Sequence, residues 1–342
     1  MASVTDHGSP SRPGAHPPVT SRTSKTPTIV TIPSARRVVT VALAGGLLLT
    51  VSPLAAPAVA APKPAPAITA KGAVLLDQAT GKSLYGKTAT TRRQMASTTK
   101  IATAITVLTT PKLDLNRKVT VKQEYRDYVT REGASTADLR TGDKLTVRQL
   151  LSGLMLPSGC DAAYALADTF GTGKTSAERT KSFIGKMNDK AKALKLTNTR
   201  FDSFDGISGG GNNYTTPEDL ARLARHSFDN PTFRDVVKAT SYKAAATSST
   251  GATRTYTWYN TNKLLGSYKG AVGMKTGTGT AAGPCLVFAA TRGSKTYIGV
   301  VLYAKTTTER FNDATKLLDY GFGAPSAKKV KLRPLPAGAQ QD

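Results

Sequence analysis

Apolar residues recur with a period of two at both ends of the folded part of the chain and with a helical period between them. Near its beginning, the apolar segments 73–77 and 83–85 flank Gly81, which predicts a β-hairpin. After residue 240, strand-like segments follow one another with short links, at 241–246, 254–258, 270–275, 286–291 and 297–304. This succession favours an antiparallel sheet, and we expect a helix over 309–320 to close the fold.

The middle of the chain has the pattern of packed helices. Residues 101–108 are apolar on nearly every side, which is typical of a buried helix. Capping signals beginning at Thr146 and Thr216 predict two helix starts, and further helices are expected over 161–170 and 177–194. Strands at both ends with helices between them predict an α+β fold, in which the two ends form a sheet domain and the middle forms an inserted all-helical domain.

The N-terminal segment has the features of a signal peptide. Arg36-Arg37 precedes an apolar run over 38–51, and small residues follow at Ala58-Val59-Ala60. This run of about 14 residues is shorter than the roughly 20 that a membrane-spanning helix needs, so we predict cleavage after Ala60 and a secreted, envelope-associated protein. An uncleaved membrane anchor is the alternative, because the tail that precedes the run is long for a signal peptide.

These patterns divide the chain into five parts. We predict a signal peptide with a long N-terminal extension over 1–60, a linker over 61–69, a sheet domain made of 70–96 and 238–322, a helical domain over 97–237, and a basic disordered tail over 323–342.

The composition restricts the chemistry more than the length does. Of 342 residues only three are histidines, and His226 alone follows the predicted signal peptide; the two cysteines are Cys160 and Cys285. A His-rich metal site, an iron–sulfur cluster and a disulfide-dense scaffold are therefore excluded. We expect no metal and no cofactor, so that catalysis has to use Ser, Lys and carboxylates.

The charge is strongly positive, with 47 Lys and Arg against 22 Asp and Glu and a formal net charge of +25. Nucleic acid is not expected as a partner, because the predicted signal peptide exports the protein and no basic patch interleaved with aromatic residues is found. Anionic polymers of the cell envelope are one partner that this charge suits. The alternative is an evenly solvated basic surface without a specific ligand.

The first motif with catalytic potential is Ser97-Thr98-Thr99-Lys100, at the start of the buried helix. Residues three apart on a helix share a face, so the Ser97 hydroxyl and the Lys100 amine can meet. A lysine withdrawn from water can serve as the base that a serine nucleophile needs. The motif is weak evidence alone, since Ser326 and Lys329 in the tail have the same spacing.

Two further motifs follow. Ser158-Gly159-Cys160 lies in a tight connection between two predicted helices, which suits the presentation of one hydroxyl at a cleft. Lys275-Thr276-Gly277-Thr278 ends an apolar strand, where small residues let a substrate backbone lie along the strand edge and Lys275 can pair with a carboxylate. Taken singly, each is compatible with an ordinary turn.

In this order and spacing, the three motifs resemble those of the penicillin-binding, active-site-serine D-alanyl-D-alanine carboxypeptidases and transpeptidases. The resemblance covers roughly residues 68–322. It implies the fold shared with serine β-lactamases, a five-stranded antiparallel sheet flanked by helices. It also implies a peptidoglycan stem peptide ending in D-Ala-D-Ala as substrate and β-lactams as covalent inhibitors.

The resemblance also implies a role for each residue. Ser97 would be the acylated nucleophile, Lys100 its proton acceptor, and Ser158 the relay of the proton to the departing D-alanine. Lys275 and Thr276 would bind the terminal carboxylate, and Gly277 would follow them in the same substrate-binding segment. The backbone N–H groups of Ser97 and Thr278 would form the oxyanion hole.

One position departs from the family pattern. Most members have Ser-x-Asn where this chain has Ser158-Gly159-Cys160. A thiol is a weaker hydrogen-bonding group than a carboxamide, so Lys100 and the substrate amide lose a polar partner. A subset of small secreted DD-transpeptidases with Ser-Gly-Cys is the nearest match, and this departure puts efficient hydrolysis in doubt.

Three alternative interpretations of these residues remain. A class A β-lactamase needs a Glu-x-x-Leu-Asn segment, which neither the residues after Glu178 nor those after Glu218 provide. A Cys160–His226 hydrolase is formally possible, although His226 lies in an ordinary amphipathic helix. A wall-binding or β-lactam-sensing protein with little turnover is the main non-enzymatic alternative. A Cys160–Cys285 disulfide is disfavoured, because Cys160 belongs to the predicted active site.

Overall fold

The computed structural model describes residues 64–324 and 330–341, which belong to one compact unit. The predicted signal peptide, its cleavage site and the alternative membrane anchor lie outside the described residues. The eight helices of the described part are α1 Lys100–Leu108, α2 Gln123–Glu132, α3 Val147–Met155, α4 Cys160–Phe170, α5 Ser176–Ala193, α6 Pro217–Phe228, α7 Pro231–Lys238 and α8 Glu309–Phe322. Its strands are β1 Gly72–Asp77, β2 Ser83–Lys87, β3 Arg93–Gln94, β4 Lys118–Thr120, β5 Lys144–Thr146, β6 Tyr214–Thr215, β7 Ser241–Thr247, β8 Thr253–Tyr259, β9 Ala271–Gly277, β10 Cys285–Arg292 and β11 Lys295–Leu302.

The central element is a five-stranded sheet in the order β2-β1-β11-β10-β9, with every neighbouring pair antiparallel. Strand β1, from the beginning of the folded part, pairs with β11 from its end, so Leu75 lies opposite Gly299. The predicted five-stranded antiparallel sheet and the α+β class are therefore confirmed.

Both faces of this sheet are covered by hydrophobic cores. Successive side chains of a strand point to opposite sides, so one strand contributes to both cores. In β10, Val287 and Ala289 belong to the larger hydrophobic core, while Leu286 and Phe288 pack in the smaller core with α8. Helix α8 covers one face, whereas α6 and α7 lie on the side of the larger core. The sheet is thus a layer between helices, and its outermost strand β9 borders the site described below.

The inserted part is not all-helical, and the prediction is wrong in this respect. Strands β4 and β5 lie between α1 and α3, and they join β7 and β8 in a four-stranded sheet of order β4-β5-β7-β8. The first two strands have three residues each, too few to show an alternating pattern. Strands β7 and β8 are buried on one face only, unlike β10 and β11, so they belong on a surface sheet rather than in the central layer.

Local signals in the sequence agree with the structure elsewhere. Thr146 forms a full capping box with Gln149 at the start of α3. Thr216 caps α6 by accepting from the Asp219 backbone N–H, with Pro217 at the first helical position. The division into a sheet domain and an inserted domain at 97 and 238 stays a prediction. Among the described residues, no helix has both the length and the apolar character to cross a membrane.

The end of the tail is ordered, contrary to the prediction of disorder over 323–342. In the described segment 330–341, the Arg333 side chain donates to the carbonyl oxygens of Asn260 (2.6 Å) and Leu265 (3.1 Å). Val330 and Leu332 pack against the smaller core, and the Gln340 side chain accepts from the Thr136 N–H at 3.2 Å. A basic, Pro-containing composition indicates a segment that cannot form a hydrophobic core of its own. It does not show that backbone carbonyl groups elsewhere in the protein can hold the segment through one arginine.

Candidate active site

The first motif forms a tight turn that leads into α1. Residues Ala96–Thr99 are a 3₁₀ turn, and Ala96 has a left-handed φ of 46°. The hydroxyls of Thr98 and Thr99 donate to the carbonyl oxygens of Met95 and Ala96 at 2.7 and 2.8 Å. These bonds fix the turn from which Ser97 faces the cleft, one helical turn before Lys100.

Lys100 is fully buried, and its Nζ atom has three neighbours. It donates to Ser97 Oγ at 2.8 Å, to the Asp205 carbonyl oxygen at 2.9 Å and to Cys160 Sγ at 3.3 Å. The predicted meeting of the serine hydroxyl and the lysine amine is therefore present. In its neutral form, an amine held at this distance can accept the hydroxyl proton instead of donating to the oxygen.

Ser158 belongs to the loop between α3 and α4 and has a left-handed φ of 65°. Its hydroxyl is fully buried and has no hydrogen-bond partner within the described part of the chain. Ser135 holds this loop in place, because its hydroxyl donates to the Ser158 carbonyl at 2.6 Å and its carbonyl accepts from the Cys160 N–H at 2.8 Å. The loop thus carries one buried, unengaged hydroxyl two residues before Cys160, which lines the cleft described below.

Cys160 is a buried, protonated thiol. Burial raises its pKa to about 12, although the adjacent Lys100 favours the thiolate. Its Sγ atom lies 3.3 Å from Lys100 Nζ and 3.6 Å from Ser135 Oγ. The sequence predicted that Lys100 loses a polar partner here; the thiol keeps the contact, as a weaker partner.

Strand β9 carries the third motif to the same place. Lys275 is buried and donates to the Thr276 carbonyl at 3.0 Å, and the Thr276 hydroxyl is 2.6 Å from that of Thr261. A Cβ atom on Gly277 would lie 2.9 Å from the Ser97 nitrogen. Glycine is needed there because the strand packs directly against the turn that carries Ser97.

Arg310 is a site residue that the sequence reasoning missed. It lies in the first turn of α8, is buried, and its Nη1 donates to Thr278 Oγ1 at 2.9 Å and to the Gly277 carbonyl at 3.3 Å. A signal was present, because Arg310 shares a helix face with the buried Ala314 and Leu317. A charged residue in the apolar stripe of a helix is unusual and marks a place where the charge has a role.

Asp205 was also missed, and no motif reveals it. Its carbonyl oxygen binds Lys100, while its carboxylate accepts from the Tyr128 hydroxyl at 2.8 Å and the Ser203 hydroxyl at 2.9 Å. The next residue, Gly206, has a φ of 103°, and a Cβ atom there would lie 2.1 Å from the Ala96 carbonyl oxygen. The side-chain contacts of Asp205 therefore hold a loop against the turn of the first motif.

The three motifs border one cleft of about 620 Å³. Ser97, Cys160 and Thr278 line it, and so do Gln340 and Gln341 from the ordered tail. Lys100 lies beneath Ser97 and reaches it by the hydrogen bond given above.

Two alternative pairings are not formed. His226 lies in the last turn of α6 and lines a different cavity with Leu76 and Arg222, so it does not pair with Cys160. Cys160 and Cys285 are both buried and no disulfide joins them, as expected for Cys160 in a site.

Comparisons with known proteins agree with this geometry. Residues 58–306 match the D-alanyl-D-alanine carboxypeptidase family. The chain is 54% identical over 288 residues to a D-alanyl-D-alanine carboxypeptidase of Streptomyces sp. strain K15, covering 84% of this chain and 98% of that protein. It is 34% identical over 255 residues to the carboxypeptidase DacF of Bacillus subtilis, covering 74% of this chain and 62% of that protein.

Solved structures show the same relationship. The crystal structure of the Streptomyces K15 DD-transpeptidase superposes with a TM-score of 0.75 at 56% identity, covering 76% of this chain and all of that one. A D-alanyl-D-alanine carboxypeptidase of Mycobacterium tuberculosis superposes with a TM-score of 0.68 at 30% identity, covering 78% of this chain and 96% of that one.

Proposed function

Because the chain belongs to the D-alanyl-D-alanine carboxypeptidase family, we propose that its cleft carries out acyl transfer on Ser97. The protein is a serine-type D-Ala-D-Ala peptidase that acts on peptidoglycan stem peptides, and its family is a target of penicillin. We further propose a role for each site residue, a partition of the acyl-enzyme between water and amine, and a location for the enzyme.

In the acylation step, Lys100 takes the proton of the Ser97 hydroxyl while Oγ attacks the carbonyl carbon of the penultimate D-alanine. The peptide C–N bond then breaks, an ester to Ser97 forms, and the terminal D-alanine leaves as an amine. That leaving nitrogen needs a proton, and the unengaged hydroxyl of Ser158 supplies it, to be reprotonated from Lys100. The 2.8 Å contact between Lys100 and Ser97 is the observation that carries this proposal.

The terminal carboxylate of the donor peptide binds at the end of β9. Lys275 provides a positive charge there and the Thr276 hydroxyl a hydrogen-bond donor, and the buried guanidinium of Arg310, which binds Thr278, adds a second positive charge. The backbone N–H groups of Ser97 and Thr278 stabilise the oxyanion of the tetrahedral intermediate.

The proposal is tested by incubating the purified protein with a D-Ala-D-Ala peptide and, separately, with penicillin. We expect D-alanine release and a single penicillin adduct per chain by intact mass. Labelling without any release of D-alanine, to water or to an added amine, would instead support a sensor of β-lactams.

Cys160 is expected to favour transfer over hydrolysis. A thiol at the position of a carboxamide activates water poorly, whereas an amine is the better nucleophile and competes for the acyl-enzyme. A hydrogen bond to a charged group contributes about 1.5–3 kcal/mol, which is roughly tenfold to a hundredfold in rate if the bond forms only in the transition state.

Cys160→Asn should therefore raise hydrolysis of a D-Ala-D-Ala peptide by roughly tenfold to a hundredfold and lower the transfer-to-hydrolysis ratio. Product analysis with and without an amino acceptor measures both. Cys285→Ala removes the other buried thiol, outside the cleft, and serves as the control. If Cys160→Asn leaves the ratio unchanged, Cys160 is a packing residue and acceptor binding sets the partition.

Arg310 is expected to support donor binding through Thr278. Arg310→Lys keeps a positive charge but cannot reproduce the two directed contacts of the guanidinium with Gly277 and Thr278. We expect about a tenfold loss in kcat/KM for the donor peptide, with little change in the melting temperature. A variant that unfolds at a lower temperature without a specific catalytic loss would show a purely structural role.

We place the enzyme outside the cytoplasm, in contact with the cell wall, because its substrate is there. The family membership and the predicted signal peptide support this location. The excess of basic over acidic residues, which persists without residues 1–60, favours adsorption to anionic wall polymers, an attraction that salt should weaken. We also propose that the cleft lies between the sheet domain and the inserted domain.

A further inference from the structure

We propose that Glu132 binds a free ammonium group of the peptide substrate in the catalytic cleft. The proposal rests on the acyl transfer proposed above for Ser97, and it concerns a specificity-determining residue of that same cleft. The ammonium group is carried either by a side chain of the donor peptide or by the amino acceptor.

The first observation is the charge of the cleft wall. Glu132 is the one charged residue among the described residues that line the cleft with Ser97, and the other lining side chains are neutral. The chain has 47 Lys and Arg against 22 Asp and Glu. On a surface of that average composition, a lining with one carboxylate and no cation is unexpected. Glu132 is therefore the one charge that the described lining itself offers to a ligand approaching Ser97, and that charge is negative.

The second observation is the position of Glu132 in its helix. It is the last residue of α2, and Gly133 follows it with a left-handed φ of 54°. The partial negative charge at the C-terminal end of a helix favours cations and disfavours a carboxylate. Departures from such local sequence preferences are expected at functional sites. Here the carboxylate at the C-terminal end of α2 is also a residue of the cleft lining.

The third observation is that the existing partner of Glu132 is replaceable. Arg131 Nε lies 3.0 Å from Glu132 Oε1, but the side chains are 64% and 33% exposed. Such an exposed pair contributes little to stability, because water solvates both groups. A substrate ammonium can exchange with Arg131 at small cost.

The arrangement of charges gives the cleft two different ends. Lys275 and Arg310 are buried on the side of β9, where the donor carboxylate is proposed to bind. Glu132 belongs to the lining segment 132–135, in which Ser135 contacts Cys160. A substrate with a carboxylate at one end and an ammonium at the other matches both ends.

Two pairs of substrates identify the source of the ammonium group. The donor pair is an acyl-L-lysyl-D-Ala-D-Ala peptide with its side-chain amine free or acetylated. The acceptor pair is glycyl-lysine amide and glycyl-norleucine amide, which share the same attacking glycyl amine. The rates of D-alanine release and of transfer product formation are measured for each pair at low and high salt.

We expect the full-length wild-type protein to prefer the charged member of at least one pair by about fivefold at low salt, with the preference shrinking as salt rises. Glu132→Gln should bring this rate ratio close to one, and Glu132→Lys should invert it. Asp127→Asn, which makes the same charge change on the exposed face of the same helix outside the cleft, should keep the wild-type ratio.

The outcomes separate this inference from the proposed function. If the wild-type protein transforms both members of each pair at the same rate, or if Glu132→Gln keeps the wild-type ratio, the role of Glu132 is refuted while acyl transfer on Ser97 stands. If neither D-alanine release nor a penicillin adduct is found, the proposed function itself fails.

Discussion

Ser97→Ala should abolish penicillin labelling and lower D-alanine release by at least about 10⁴-fold. Ser97 is expected to supply the only oxygen that becomes acylated, since its hydroxyl accepts from the buried Lys100 amine at 2.8 Å. Alanine removes this oxygen without adding bulk to a turn that Thr98 and Thr99 fix by their own hydrogen bonds. The fold should survive, so the loss would be chemical.

Intact-mass analysis of penicillin-treated protein measures this result, and peptide mapping locates the adduct. Ser326→Ala is the matched control, because Ser326 has the same spacing to a lysine in the tail and should change nothing. An adduct that persists in Ser97→Ala, or that maps to Cys160, would contradict the mechanism. The pKa of about 12 for the Cys160 thiol makes that second site a poor nucleophile at neutral pH.

Lys100→Arg should reduce the rate of acylation by roughly 10³-fold or more. Arginine keeps the positive charge and similar length, but its guanidinium does not release a proton in proteins, so it cannot take one from Ser97. The buried pocket offers acceptors to either side chain, the Asp205 carbonyl oxygen and Ser97 Oγ. The variant therefore separates a base from a mere source of charge.

Stopped-flow or quenched acylation with penicillin measures the rate, and thermal unfolding checks the fold. Lys275→Arg is the comparison variant, because the proposed role of Lys275 requires only charge; about a tenfold loss is expected there. Near wild-type acylation by Lys100→Arg would show that another group serves as the base.

The two predicted effects depend on contacts that the sequence could foresee to different degrees. The Ser97–Lys100 contact spans three residues, and helical geometry alone places both on one face. The contact of Lys100 with Asp205 spans 105 residues, and the one of Arg310 with Thr278 spans 32. No local period relates such positions, so only the packed chain could identify these partners.

The ordered tail shows the same limit. Its composition indicated a chain without a core, and the segment indeed forms no helix or strand over 330–341. Arg333 nevertheless donates to backbone acceptors at Asn260 and Leu265. Gln340, which lines the cleft, accepts from the Thr136 N–H. A disorder prediction judges whether a segment can fold alone, and this segment is held by carbonyl groups of another part of the protein.

The sequence by itself determined the α+β class, most of the long helices and strands, and the set of motifs that identifies the family. These features depend on short-range rules, namely the periods of two and 3.6, capping residues, and the spacing within Ser97–Lys100 and Lys275–Thr278. Tertiary structure alone decided that β7 and β8 join β4 and β5 on the surface, that Asp205 and Arg310 contact Lys100 and Thr278, and that Glu132 lines the cleft. The physical reason is that burial and charge pairing depend on which distant segments pack together. The pattern of residues along the chain does not give the distance in space between such segments.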